Sequence, residues 1–266
     1  MVNFTSASKY TTPAEFSIGA TLGKAFTLFW NHLGVLLLIA GIASIPNLIS
    51  LWFQAPSLHN LSLHMTQAES LAALAQSKNS SSIVNVLSMI GNIFSVFAQA
   101  TIFITAFGFL TGSATAIPAA AWAGISRFWP LIGLGLLVAL GVLLAGLLLV
   151  IPGIILSIVW SVALPACVIE KLGPVRSLGR SAALTKGNRW KLFGLFLVIV
   201  IGAVIAALAA AGGLFAVGGG VAFGVGLYAL QVIYLALAAT VSVVIYHDLR
   251  IAKEGIGTDR MAAVFE

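Results

Sequence analysis

Two groups of residues in this 266-residue chain have types and spacing suited to chemistry. The first is Asn85, Ser88, Asn92, Ser95 and Gln99, whose steps of three and four place amides and hydroxyls on one helix face. Such a face can line a polar path for a substrate, or it can hydrogen-bond to neighbouring helices and hold a bundle together. The second group is charged: Glu170, Arg176 and Arg180, with Asp248 and Arg250 near the other end of the sequence. Arg176 and Arg180 are four apart and share a helix face. Glu170 paired with Arg180, and Asp248 paired with Arg250 or a loop arginine, would form a clamp; independent charges bound to lipid headgroups are the alternative. Catalytic sets are missing from the pattern. His59 and His64 lack a third ligand, and the glycines around Gly220 and Gly224 follow no strand that would make a phosphate loop. No Ser/His/Asp or paired-carboxylate set is recognisable, so a non-enzyme without metal or cofactor is expected.

The elements that position these groups are dictated by composition. Sixty per cent of the residues are hydrophobic and 8% are charged, against about 25% in soluble domains. No Asp, Glu, Lys or Arg occurs in 25–68, 79–126, 128–169 or 192–247. That much apolar chain excludes disorder and a water-soluble fold. A spanning helix needs about 20 residues, so 128–169, about 63 Å as one helix, must fold back on itself. Ile151-Pro152-Gly153 offers the turn, and Gly212–Gly220 offers another in 192–247. Six spans result: 33–53, 83–111, 131–150, 154–169, 192–211 and 222–246. The fourth contains Pro165 and should tilt or kink. The fold class is all-α, a polytopic membrane helix bundle with amphipathic helices on the cytoplasmic side.

With both termini in the cytoplasm, every Lys and Arg except Lys78 falls on the inner side, as the positive-inside rule requires. The division is then 1–32, a cytoplasmic segment with an amphipathic helix; 33–246, the membrane domain; and 247–266, a cytoplasmic tail. No cleaved signal peptide is expected in Met1–Thr21. The net charge of +6 becomes a basic cytoplasmic collar suited to anionic headgroups, with a membrane protein as a further possible partner and no nucleic-acid signature. No acidic or basic residue stands at mid-span, which argues against a proton-coupled carrier. Cys167, the only cysteine, reads as a packing residue.

Three spans open alike: Trp30-Asn31-His32-Leu33-Gly34, Trp129-Pro130-Leu131-Ile132-Gly133 and Trp190-Lys191-Leu192-Phe193-Gly194. Ile18, Ile117 and Leu178 stand twelve residues before each Trp, and Leu22, Ala121 and Ala182 eight before. The repeated unit would be an amphipathic helix on the membrane surface, a Trp anchor at the interface, a glycine where the chain turns inward, and a helical hairpin. Partners for the polar face of the second span could come from Ser44, Asn47 and Ser50, from Ser157 and Ser161, or from Tyr228, Gln231 and Tyr234. Ala203, Ala207 and Ala211, with Gly202, Ala206 and Ala210, read as a close-packing seam. In the outer loop, Thr66-Gln67-Ala68-Glu69 reads as a capping box opening a short helix.

The segment after the fourth span carries Pro165, Glu170, Gly173, Ser177, Leu178, Arg180, Ser181, Leu184, Gly187, Arg189 and Trp190. The chain end carries Tyr246, Asp248, Leu249, Arg250, Lys253, Glu254 and Gly255. Together these resemble the motifs of bacterial membrane proteins related to the membrane domain of glycerophosphoryl diester phosphodiesterase, over about Phe16 to Gly255. The resemblance implies a six-span inner-membrane protein. Some members of that family carry a fused soluble phosphodiesterase domain; its acidic and histidine metal ligands have no counterpart here, and the membrane domain supplies no defined activity. The basic collar, the amphipathic helices and the lack of catalytic groups point to a non-catalytic membrane module that binds lipid or partner proteins. A transporter or channel lined by the second span is the alternative.

Overall fold

A computed structural model describes residues 16–50, 82–113, 116–216 and 221–254, and for 82–83, 211–216 and 221–223 the backbone alone. The described residues form ten full helices: α1 (Ile18–Asn31), α2 (Leu33–Ala43), α3 (Ser82–Thr111), α4 (Ile117–Ile125), α5 (Phe128–Leu148), α6 (Val150–Val159), α7 (Ala163–Ile169), α8 (Pro174–Thr185), α9 (Arg189–Ala216) and α10 (Val221–Glu254). Among the described residues, five stretches are long and apolar enough to cross a membrane: Val84–Thr111, Phe128–Leu148, Val150–Ile169, Arg189–Ala210 and Gly224–Glu254. A sixth candidate is the pair α1 and α2, bent by 80°. The protein is an all-α, multi-pass membrane helix bundle. His59, His64, the capping box at Thr66 and the segment 217–220 lie outside the described residues.

The chain forms two compact units. One comprises 1–27, 129–195 and 241–266; the other comprises 28–128 and 196–240. In the first unit α5 and α6 make a hairpin, and the turn is not at Ile151-Pro152-Gly153 as the sequence suggested. Leu149 is the extended residue, with φ −160° and ψ 139°. Pro152 falls in the first turn of α6, where no backbone N–H is needed. Gly153 serves close approach instead: a Cβ there would come within 2.9 Å of the Gly146 Cα. Lower in the same hairpin the Trp160 ring lies over Gly141.

The fourth span is broken at 160–162, as Pro165 requires, because its ring and missing N–H interrupt the ladder. The break leaves the Val159 carbonyl without its helical donor. Ser181 Oγ donates to it at 2.7 Å and Thr185 Oγ1 at 3.4 Å, both from α8. Ser177, Ser181 and Thr185, four residues apart, are therefore the buried stripe of α8, while Leu178 and Ala182 are only half-buried. The amphipathic helix turns a hydroxyl stripe inward because an orphaned carbonyl in a membrane protein has no water to satisfy it. Cys167 is fully buried, its Sγ 3.4 Å from the Leu172 carbonyl.

In the second unit α3 packs between α2 and α4. Its buried seam is Val84, Gly91, Ala98 and Thr105, a step of seven. The first span is interrupted at Ser44, two residues before Pro46, and 45–50 is helical again. His32, at the bend, stacks on Phe109 at 3.7 Å. Among the described residues the small-residue seam expected in the fifth span is not buried, and the side chain of its last member, Ala211, lies outside the description. Gly202, Ala206 and Ala207 are exposed and Ala203 and Ala210 half-buried, in keeping with the largely exposed surface of α9. The boundary drawn at 246/247 falls inside α10, which runs on to Glu254.

Candidate functional site

The charged residues near the two ends of the basic motif come together in the first unit. Arg180 Nε, on α8, donates to both carboxylate oxygens of Glu170 at 2.8 and 2.9 Å. Glu170 stands at the end of α7, and the chain reverses through Lys171, whose φ is 55°, before Pro174 opens α8. That short reversal brings residues ten apart face to face. Tyr246 Oη, buried on α10, donates to Glu170 Oε1 at 2.7 Å. The other face of the Arg180 guanidinium pairs with Glu254, which also accepts from Arg250 Nε at 3.0 Å. Burial disfavours the charge on Arg180, but its hydrogen bonds to Glu170 and Glu254 and their negative charge outweigh it and hold its pKa above the ordinary arginine value.

The clamp half that joins Glu170 to Arg180 is thus present; the half assigned to Asp248 differs. Asp248 Oδ2 accepts from Thr21 Oγ1 at 2.9 Å, and Oδ1 accepts from Lys24 Nζ at 2.5 Å. It does not pair with Arg250 or a loop arginine. Residues two apart on a helix point in different directions, so Arg250 reaches Glu254 at i+4 instead. Arg176 shares a helix face with Arg180 but is exposed and makes no ion pair among the described residues. Thr21, Lys24, Tyr246 and Glu254 complete the network, and sequence reasoning did not assign them to it. Their separations in sequence, 76 residues for Tyr246 and more than 220 for Thr21 and Lys24, carry no local signal.

Beyond the network, cations are in surplus. Arg176, Lys186, Arg189 and Lys253 are exposed and have no acidic partner among the described residues, where the unit's acids are Glu170, Asp248 and Glu254. Lys253 Nζ lies over Gly187, within 3.6 Å of where a Cβ would stand. Gly187 has φ +88°, which glycine adopts without strain, and it turns the chain from α8 into α9. Beside Arg189, a groove of about 390 Å³ runs along α6.

The three anchors are surface residues: Trp30 is 65% exposed, Trp129 79% and Trp190 86%. Each stands at a junction between a short helix and an apolar one. The glycine four residues later does not turn the chain, for Gly34, Gly133 and Gly194 all lie inside helices. Two of them are seats for other helices. A Cβ on Gly133 would meet Pro174 Cγ at 3.3 Å, and one on Gly194 would meet Ile18 Cδ1 at 3.4 Å. Pro174 and Ile18 are both first residues of their helices, so the second and third copies of the motif do equivalent work.

Among the described residues, the polar face of α3 flanks the helix's buried seam and does not form it. Asn85 and Asn92 are exposed, and Ser88, Ser95 and Gln99 are half-buried. The small residues Gly91 and Ala98 take the interior because neighbouring helices approach most closely there. Asn47 lies directly over Gly91, and Tyr228 Oη donates to the Gly41 carbonyl at 3.2 Å. Ser157 and Ser161 donate to carbonyls of α6, those of Ile154 and Ile158. Ser44 Oγ and Asn47 Nδ2 are buried with no hydrogen-bond partner among the described residues. No group of three metal-ligating side chains occurs among the described residues. Compared with family models, curated proteins and solved structures, the chain finds no match in any of the three.

Proposed function

We propose that this membrane protein is a non-catalytic module whose basic end binds the headgroups of anionic lipids and, through them or beside them, a membrane partner. One observation carries the reading. The three acids of the first unit's described residues are taken up by Arg180, Arg250, Lys24, Tyr246 and Thr21, while Arg176, Lys186, Arg189 and Lys253 stay exposed and uncompensated. In a bilayer, clusters of that kind attract anionic headgroups at about 1 kcal/mol per charge near the surface. The motif resemblance to membrane domains of the glycerophosphoryl diester phosphodiesterase type fits a module of this sort, as does a bacterial inner membrane with both termini in the cytoplasm. Purified protein, delipidated and then offered phosphatidylglycerol and phosphatidylcholine, should retain the former preferentially in native mass spectrometry. Neutralising Arg176, Lys186 and Lys253 together to Gln should weaken that preference. Equal retention of both lipids by the wild-type chain would end the proposal. Reporter fusions at each terminus would test the orientation.

A second reading, a solute path beside α3, is favoured by Ser44 Oγ and by Asn47 Nδ2 over Gly91, both buried and without a hydrogen-bond partner among the described residues. Water or a polar solute would satisfy both. Vesicle-swelling rates with small neutral solutes test it: Asn47→Leu with Asn92→Leu should abolish a protein-dependent rate, and a wild-type rate equal to that of empty vesicles excludes the path.

A further inference from the structure

We infer that the groove between α6 and the first turn of α9 holds one acyl chain of an anionic phospholipid whose phosphate rests on Arg189. The inference rests on the lipid-binding reading above and narrows it to one site. Ile151, Ile154, Ile155 and Ile158 line the groove at helical spacing, so they form one face of α6 about 10 Å long. That is most of the roughly 15 Å depth of one leaflet's hydrocarbon. Ile158 is 8% exposed and makes the floor, while Ile151, Ile154 and Ile155 are 43–70% exposed and make open walls. Trp190 and Phe193 complete the lining from α9, their rings edge to face at 6.0 Å. The volume of about 390 Å³ lies in the range of sites that hold a small ligand, roughly 300–1,000 Å³.

The occupant is fixed by the one residue that is not apolar. Arg189 is the single charged group of the lining, and no acid of the described residues pairs with it. Lys253 Nζ stands at Gly187, two residues before it, so the local field is positive. An apolar slot ending at an uncompensated guanidinium matches a molecule with a hydrocarbon chain joined to a phosphate. Arginine binds phosphate through two parallel N–H donors. A partner helix would need to carry an acid beside a stripe of apolar side chains at membrane depth, which is costly. Trp190, 86% exposed, sits at the polar end of the groove, where an indole is suited to the boundary between chains and headgroups.

The test uses the full chain, delipidated in detergent, with phosphatidylglycerol and phosphatidylcholine as probes and native mass spectrometry as the readout. One phosphatidylglycerol should remain at collision energies that strip the rest. Arg189→Gln should lower its retention about tenfold or more, and Arg189→Lys should restore part of it, since a lysine offers charge without the fork. Ile155→Trp, which fills the slot, should remove the tightly held lipid with every cation still in place, and a thermal melt in detergent checks that this variant is folded. Ile154→Phe serves the same purpose if it is not. The site is disproved if Arg189→Gln and the slot-filling variants retain phosphatidylglycerol like the wild type while the Arg176, Lys186 and Lys253 triple variant loses it. In that outcome the broader lipid-binding reading survives. It is disproved equally if phosphatidylcholine is held as tightly as phosphatidylglycerol, and then the broader reading falls too.

Discussion

The two compact units differ in how their charged groups are used, although hydroxyls of both, Ser157 and Ser177 in the first among them, turn back on nearby carbonyls. In the unit built from 1–27, 129–195 and 241–266, charged and hydroxyl groups are joined across long stretches of sequence: Glu170 to Arg180 and Tyr246, Asp248 to Thr21 and Lys24, and Ser181 to the Val159 carbonyl. In the unit built from 28–128 and 196–240, Arg127 is the one charged residue among those described. Its hydroxyls mostly turn back on their own helix. Ser95 donates to Gly91, Thr101 to Phe97, Thr105 to Thr101 and Thr111 to Phe107. The contrast has a physical origin. A hydroxyl can be satisfied by the carbonyl one turn back at little cost, so it need not specify a neighbour. A carboxylate or guanidinium cannot be satisfied by one carbonyl of its own helix and needs an opposite charge, and apart from the local pair Arg250–Glu254 that need ties distant segments together.

Breaking the joined network should therefore hurt most. Glu170→Gln leaves Arg180 with Glu254 alone and weakens the bond from Tyr246, and it should cost about 2–3 kcal/mol, read as a lowered melting temperature in detergent. Exchanging the pair, Glu170→Arg with Arg180→Glu, should recover only part of this, because residue 180 would then face Glu254 with like charge. Next come the two glycines. Gly153→Ala drives a methyl against the Gly146 backbone and should cost about 1–3 kcal/mol, whereas Gly91→Ala meets only the Asn47 side chain, which can swing aside, and should cost less than about 1 kcal/mol. The same melting series separates them, and equal effects would remove the distinction between a rigid and an adaptable contact.

Ser181→Val uncaps Val159 but leaves Thr185 within 3.4 Å of the same carbonyl, so about 1 kcal/mol is expected. Smallest of all is Ser44→Ala. Its Oγ has no partner among the described residues, and its removal should be neutral or slightly stabilising, by up to about 0.5 kcal/mol. A clear loss of stability there would show that Ser44 holds a water or a solute, and the contrast between the units would shrink.

Much of this architecture is legible in the residues, and the rest is hidden for definable reasons. The charge-free stretches give the apolar helices directly, and Pro165 gives the break at 160–162. Glu170 and Arg180 can be paired on paper because only a short reversal separates their helices. The partners of Asp248 cannot, since a residue 224 positions away leaves no trace in local spacing. Pro152 is ambiguous in principle, because proline suits both a turn and the first turn of a helix, and here the second applies. The 3-4-3-4 pattern of α3 correctly groups Asn85 with Asn92, but periodicity gives a face without its direction. The seven-residue step of Gly91 and Ala98, small residues one position away from that face, marks the buried side of the helix.

The burial of Cys167 has a practical consequence. It is the chain's one thiol, it has no solvent exposure, and its Sγ lies 3.4 Å from the Leu172 carbonyl. A thiol probe added from water should therefore leave the native protein unlabelled. Cysteines introduced one at a time along α3, α6 or the start of α9 would report their own surroundings against a silent background, with no need to alter the buried position first.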